Sequence, residues 1–94
     1  MAYDPVRVIA YDTNSDARRR KLSSLLEDNA VRVQYSVFEA RMNDKRLKSM
    51  VAEIKNIITA EDKIRIYTLD QNSLARSYSF GGSPLPERQD FWLL

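Results

Sequence analysis

The spacing of apolar residues predicts strands at three places along the chain. Residues 6–11 form an almost wholly apolar, β-branched run that is typical of a buried strand. Residues 31–42 alternate between apolar and polar, but the phase shifts by one position near residue 38, which indicates a bulge or a break. We therefore expect two short strands there, with a tight connection around residues 35–37. Residues 64–69 alternate again and predict a further strand.

Two segments between these strands have helical periodicity instead. The first runs from residue 16 to about residue 28 and has three leucines at i, i+3, i+4 spacing, which form a narrow apolar stripe. Residues 13–15 precede it and are all of types that cap helices. The second predicted helix spans residues 44–58, and its apolar stripe is the strongest periodic signal in the chain. That stripe consists of Leu47, Met50, Val51, Ile54, Ile57 and Ile58.

The remaining residues predict a final strand and an apolar tail. Residues 74–80 are interpreted as a short strand before the turn at Gly81 and Gly82. The resulting order, β-α-β-β-α-β plus a C-terminal extension, predicts an α+β, ferredoxin-like fold with one antiparallel sheet and two helices on one face. We expect a domain over residues 1–80 and an extension over residues 81–94. The apolar tail at 91–94 either folds back onto its own sheet or adds a strand to the sheet of a partner, because exposed edges are normally covered.

The composition excludes several kinds of chemistry. The 94 residues include no cysteine and no histidine, so a disulfide framework, a zinc finger and a catalytic triad are all absent from the chain. A bound metal would have to be a hard, oxygen-liganded cation such as Mg²⁺ or Mn²⁺. No segment resembles a signal peptide or a membrane span, so we expect a cytoplasmic protein without a membrane partner.

The positive charges concentrate at the two predicted helix starts. Cations at a helix N-terminus oppose the helix dipole, so a fold alone gives no reason to place them there. A nucleic-acid phosphate partner would explain them, although a solvated surface is about equally consistent with the pattern. The candidate nucleic-acid-binding residues are Arg18, Arg19, Arg20 and Lys21 at the first helix, and Arg41, Lys45 and Arg46 at the second.

Asp12 is the candidate metal ligand. It ends the first predicted strand and precedes a polar turn, which suits either a metal-binding carboxylate or an ordinary capping residue. One carboxylate is too few for a metal site built by one chain. A symmetric dimer would bring a second Asp12 across its two-fold axis, and a cation between the two carboxylates would relieve their repulsion.

These residues together resemble a known family, the small CRISPR-associated endonucleases of the spacer-acquisition module, the second of its two near-universal proteins. The resemblance covers about residues 6–70 in the right order. It is carried by VIAYD at 8–12, the Arg19 and Lys21 pair, RVQYSVFE at 32–39, the amphipathic second helix and KIRIYTL at 63–69. The resemblance implies a ferredoxin-like homodimer in which the C-terminal strand crosses to the other protomer.

The resemblance also implies an activity. Family members are metal-dependent phosphodiesterases on single-stranded RNA or duplex DNA, which makes Asp12 the expected ligand of Mg²⁺ or Mn²⁺. Lys21 stands where some members carry arginine. The other positions that the family associates with activity are Tyr11, Arg19, Arg32 and Phe38. The resemblance implies a second role as well, a non-catalytic scaffold that binds the protospacer duplex and bridges dimers of the CRISPR integrase. A ribonuclease toxin of the same fold is a third interpretation.

Overall fold

The computed structural model describes residues 4–82 and 84–85. Four strands and three helices follow one another along this part of the chain. They are β1 (Val6–Asp12), α1 (Asp16–Asn29), β2 (Val31–Gln34), β3 (Val37–Arg41), α2 (Asp44–Ile57), β4 (Lys63–Leu69) and α3 (Gln71–Ala75). The sheet has the order β2-β3-β1-β4, and each pair of neighbours is antiparallel. This arrangement confirms the predicted α+β, ferredoxin-like fold.

The core lies between the sheet and the two long helices. Ile9 in the central strand pairs with Phe38 in β3 and Ile66 in β4, so the three side chains share one face of the sheet. Leu22 of α1 and Met50 of α2 belong to the same buried cluster. The apolar stripes found in the sequence are therefore the faces that cover the sheet.

Among the residues that the structure describes, the middle of the other face of the sheet is less well covered, although Val6 at its end is buried. Side chains alternate along a strand, so Val8 and Ala10 lie on the face opposite Ile9. Both are only half-buried. Tyr67 in β4 pairs with Val8, and Val31 in β2 lies in the same row of the sheet, so both side chains belong to this face. They are 51% and 65% exposed, respectively. We call this the open face of the sheet.

The connection between β2 and β3 agrees with the predicted break. The two strands meet at a turn over residues 35–36, and their pairing shifts register between Arg32 and Gln34. The backbone N–H of Tyr11 donates to the carbonyl of Ser36 at 3.1 Å, which ties this turn to the end of β1. The phase change in the sequence thus reports both a turn and an irregular register.

One element of the sequence interpretation is wrong. Residues 74–80 were expected to form a strand, but the structure has α3 at Gln71–Ala75 and no regular structure over residues 77–80. Asp70 caps α3 by accepting a hydrogen bond from the backbone N–H of Ser73 at 2.8 Å, and Leu74 is buried. The Asp70 cap and the buried Leu74 favour a helical turn here, rather than the strand that the apolar alternation predicts. The predicted tail strand lies outside the described residues.

A buried arginine marks the end of the sheet where α2 begins. Arg7 is 4% exposed and donates to the Met42 carbonyl at 2.9 Å and the Thr68 hydroxyl at 2.9 Å. It also pairs with Asp44 at 2.7 Å.

Across residues 4–82 and 84–85, none of the helices combines the length and hydropathy needed to cross a membrane.

Candidate functional site

Asp12 is an exposed carboxylate at the last position of β1. Its register partner in β4 is Lys63. The turn behind it is held by Ser15, whose hydroxyl accepts from the backbone N–H of Arg18 at 3.2 Å and so caps α1 as the sequence predicts. No hydrogen bond or ion pair joins the Asp12 side chain to any residue that the structure describes. Its carboxylate is therefore available to a ligand from outside the protomer.

A second group of predicted residues lies on the opposite side of the sheet. Tyr11 is 5% exposed, and its ring stacks on Phe38 with 6.4 Å between the ring centroids. Its hydroxyl lies 2.7 Å from that of Ser23 on α1. The guanidinium of Arg32 lies over the Phe38 ring, 4.7 Å from its centroid. The structure thus brings Tyr11, Arg32 and Phe38 together, but on the helix-covered face rather than beside the Asp12 carboxylate.

Arg32 already has partners within the chain. It donates to the Glu27 carboxylate at 2.8 Å and to the carbonyl of Tyr35. The hydrogen bond with Glu27 is the largest cause that raises the pKa of the Arg32 guanidinium, and a weaker one comes from Tyr11. A phosphate bound by Arg32 would have to share this cation with Glu27.

Arg19 lies at the turn behind Asp12. It donates to Asp16 at 2.5 Å and to the backbone carbonyl of Thr13 at 2.6 Å. Its guanidinium is also 6.0 Å from the centroid of the Tyr35 ring. Arg20 and Lys21 follow it and are exposed. The start of α1 therefore places three of its four cations within reach of solvent, on the helix that follows the Asp12 turn.

Arg18 differs from the rest of this basic run. It forms a two-point ion pair with Asp62, with Nε to Oδ2 at 2.7 Å and Nη2 to Oδ1 at 3.2 Å. The Asp62 side chain has no exposed surface. The hydrogen bonds from Arg18, and then those from Thr13 and Thr59, hold the pKa of Asp62 well below its usual value. A role for Arg18 in binding nucleic acid stays a prediction.

The second basic helix start lies at the other end of the sheet. Arg41 pairs in register with Val6, at the opposite end of β1 from Asp12. Six steps of roughly 3.3 Å separate the two ends of this strand, or about 20 Å. Arg46 donates to Asn29 Oδ1 at 2.8 Å, and Lys45 is exposed beside it. The two groups of cations therefore lie towards opposite ends of β1.

Several residues of this region were missed in the sequence. Asp62 follows Thr59 by three positions, and its carboxylate accepts from the Thr59 backbone N–H at 2.9 Å. That short-range turn was visible as a pattern, but its contact with Arg18, 44 positions away, was not. Ser23 and Glu27 look like ordinary polar positions on the solvent side of α1. Their roles depend on where β1 and β2 pass beneath the helix.

The described residues contain no group of three or more side chains suited to hold a metal together. Asp12 offers one carboxylate of the kind that Mg²⁺ and Mn²⁺ prefer. A metal site at Asp12 therefore requires ligands from water, substrate or a second protomer.

The sheet order, the two covering helices and the exposed carboxylate define a small ferredoxin-like α+β protein. The chain matches the family model described as CRISPR associated protein Cas2 over residues 6–77, and it belongs to the Cas2 family. This confirms the resemblance found in the sequence.

Individual relatives agree with this assignment. The chain is 39% identical to the "CRISPR-associated endoribonuclease Cas2 2" of Synechocystis sp., over 93% of this chain and 96% of the relative. It also resembles the crystal structure of Streptococcus pyogenes Cas2, with a TM-score of 0.69 and 29% identity over 81% of this chain and 99% of that one. A chain in a structure described as a partial Cas6-RT-Cas1–Cas2 complex gives a TM-score of 0.74 and 34% identity, over 88% of this chain and 92% of that one.

Proposed function

We propose that this chain is a metal-dependent endonuclease that acts on single-stranded RNA or duplex DNA in CRISPR spacer acquisition. The observation that carries the proposal is the exposed Asp12 carboxylate at the end of β1, with Arg19, Arg20 and Lys21 at the adjoining helix start. The naming of the Synechocystis relative as an endoribonuclease supports the same activity. The protein would work in the cytoplasm.

The metal would be Mg²⁺ or Mn²⁺, held by Asp12. The carboxylate fits such a cation because it is a hard oxygen ligand and is exposed. When bound, such a metal lowers the pKa of a water ligand and supplies a nucleophile for phosphodiester hydrolysis. The chain itself would hold the Asp12 carboxylate in place and bind the phosphate beside it.

The second carboxylate would come from a second copy of the chain. Asp12 follows Val8 and Ala10 along the open face of the sheet, where Val31 and Tyr67 are exposed. Packing two open faces would bury this apolar surface and bring two Asp12 side chains towards one axis. The extension at residues 81–94 would add its strand to the partner. The domain proper would end near residue 80.

The cations would bind and neutralise the phosphate. Arg19 and Lys21 lie on the helix that begins behind Asp12. Arg32 would act from the helix-covered face, where its guanidinium lies over the Phe38 ring. Guanidinium groups suit this task because they stay charged and donate in a fork that matches phosphate.

The alternative is a non-catalytic scaffold that binds the protospacer duplex and bridges integrase dimers. Two observations favour it. A similar chain occurs in a structure described as a Cas1–Cas2 complex, which supports an integrase partner for this chain. In addition, the basic start of α2 lies beyond the opposite end of β1 from Asp12, and this strand is about 20 Å long, so a long duplex could contact both. Both functions require duplex binding, and cleavage alone separates them.

A cleavage assay tests the proposal. Wild type, Asp12→Asn and Asp28→Asn are incubated with Mg²⁺ and either single-stranded RNA or duplex DNA. Asp28 is also an exposed carboxylate, at the far end of α1, and serves as the matched control. We expect Asp12→Asn to abolish turnover while binding duplex as well as wild type, and Asp28→Asn to cleave normally. A wild type that binds duplex but never cleaves would favour the scaffold.

A further inference from the structure

The open face of the sheet carries one acidic and one basic side chain on either side of its apolar centre. Val8 and Ala10 of β1 form that centre. Glu39 of β3 pairs with Val8 on one side, and Arg65 of β4 pairs with Ala10 on the other. Residues paired in register project to the same side of a sheet, so both charged side chains belong to the open face. The two charges therefore lie on opposite sides of β1, in adjacent rows.

The Glu39 carboxylate has no partner within the part of the chain that the structure describes. It is half-buried, yet no hydrogen bond or ion pair joins its side chain to any of these residues. It lines a groove together with Val37, Tyr78 and Phe80. The two aromatic rings stack with 6.2 Å between their centroids, and these residues are 81% and 90% exposed. A carboxylate beside exposed aromatic rings favours a cation, because both groups attract positive charge.

The Arg65 guanidinium leans towards the row of the sheet that contains Glu39. Its Nη1 donates to the hydroxyl of Tyr67, two positions further along β4, at 3.0 Å. Tyr67 pairs with Val8, and Val8 pairs with Glu39, so these three residues form one row. Arg65 is exposed, and no carboxylate among the described residues pairs with it. A guanidinium has five N–H donors, so one bond to a hydroxyl leaves it able to bind a carboxylate.

A two-fold axis along β1 would bring the two charges together. Such an axis between two packed open faces exchanges the two sides of β1, so β4 of one copy lies over β3 of the other. Packed sheets commonly keep their strands aligned and lie about 10 Å apart. Arg65 of the partner subunit would then lie above Glu39, and the reciprocal contact would form on the other side of the axis. The same axis would bring two Asp12 carboxylates together, because Asp12 also belongs to β1.

We propose that Glu39 of one copy and Arg65 of a second copy form two symmetric ion pairs that set the alignment in which the open faces dimerise. The inference rests on the proposed dimer and adds the contact that selects one arrangement of it. Burial of the apolar centre is non-directional and does not choose between alignments. A two-fold axis across the strands would place β3 over β3 and gather both Glu39 carboxylates on one side. Charge complementarity therefore favours the axis along β1.

Charge reversal on the full-length chain tests this contact. Glu39→Arg alone and Arg65→Glu alone each place like charges at both contacts of a dimer, so we expect each variant to sediment as a monomer at micromolar concentration. An equimolar mixture of the two variants should form a dimer again, because every contact in the mixed dimer joins opposite charges. Mixing cannot cure a variant that has simply lost its fold, so this rescue separates a direct contact from destabilisation.

Two further sets of variants complete the test. Lys48→Glu and Glu53→Arg make the same changes of charge on exposed positions of α2, away from the open face, and should remain dimers. The milder changes Glu39→Gln and Arg65→Gln should each raise the Kd of the dimer by about 10- to 100-fold, because the contact occurs twice. The double neutral variant should match the single ones within about threefold, since both substitutions remove the same contact. Thermal unfolding checks that each variant is folded.

The outcomes distinguish the inference from the proposed function. If wild type sediments as a monomer, the proposed dimer is wrong and the inference falls with it. If wild type is a dimer and both reversed variants remain dimers, only the inference is overturned. If the reversed variants are monomers and their mixture stays monomeric, the two charges do not meet and the inference is again overturned. If Arg65→Glu weakens duplex binding but not the dimer, Arg65 contacts nucleic acid instead, which also overturns it.

Discussion

Tyr11 and Asp12 are consecutive in β1, yet their side chains lie on opposite faces of the sheet. Tyr11 is 5% exposed and stacks on Phe38, whereas Asp12 is exposed at the edge of the open face. Alternation along a strand makes this separation unavoidable. A substrate that contacts both Asp12 and Arg32 therefore has to pass around the end of β1, where Arg19 lies.

The first prediction concerns the open face. Tyr67→Asp places a charge on exposed apolar surface that a dimer would bury, so we expect it to shift the protein from dimer to monomer at micromolar concentration. Ser49→Asp, on exposed surface of α2, should leave the dimer intact. Sedimentation velocity checks both variants. A wild type that sediments as a monomer would contradict the predicted dimer.

The second prediction concerns the charge of the basic run. Each phosphate contact that is lost reduces the slope of log K against log salt by about 0.9 for duplex DNA. Arg20→Ala and Lys21→Ala remove exposed cations, and each should reduce the slope by roughly that amount. Arg18→Ala should change the slope less, because Asp62 already neutralises this guanidinium. Equal slopes for all three variants and wild type would show that the run is only solvated.

The third prediction concerns the ion pair between Arg32 and Glu27. Glu27→Gln removes the charge that competes with phosphate for Arg32, so we expect the Kd for duplex to fall by about two- to fivefold at low salt, the scale of an exposed ion pair. Asp28→Asn removes one negative charge from the neighbouring position and controls for net charge. Fluorescence anisotropy with labelled duplex measures both. Equal effects of the two substitutions would mean that Arg32 is not the phosphate contact.

The fourth prediction concerns acid stability. The pKa of Asp62 in the folded protein lies below its usual value of 3.8, chiefly because of the Arg18 hydrogen bonds. A depressed pKa stabilises the fold above the unfolded value, and this contribution is lost as pH falls towards the folded pKa. Asp62→Asn should therefore lower Tm at pH 7, and the difference from wild type should shrink below about pH 4. Thermal unfolding at pH 7, 5 and 3 checks this. A constant difference across these values would exclude the ionised carboxylate as its source.

Short-range patterns were enough for much of the fold. The strands around residues 8 and 66, the two long helices and their caps at Ser15 and Asn43 all appear in the structure as the sequence predicts. Their signals lie in periodicity and in capping residues, which act over a few neighbouring positions. The same kind of signal gave a wrong prediction at residues 74–80, where apolar alternation predicted a strand. The structure has instead a short helix, α3, that begins after its cap at Asp70.

The sequence by itself determined that Asp12 ends a strand and that cations begin the helix behind it. Only the tertiary structure decided which groups these residues meet. The Arg18–Asp62 pair joins positions 44 apart, and it depends on β1 and β4 pairing in one particular register. The separation of Arg46 from Asp12 depends on β1 and β3 running in opposite directions. Pairing of distant strands sets both relationships, and no local pattern in the chain records it.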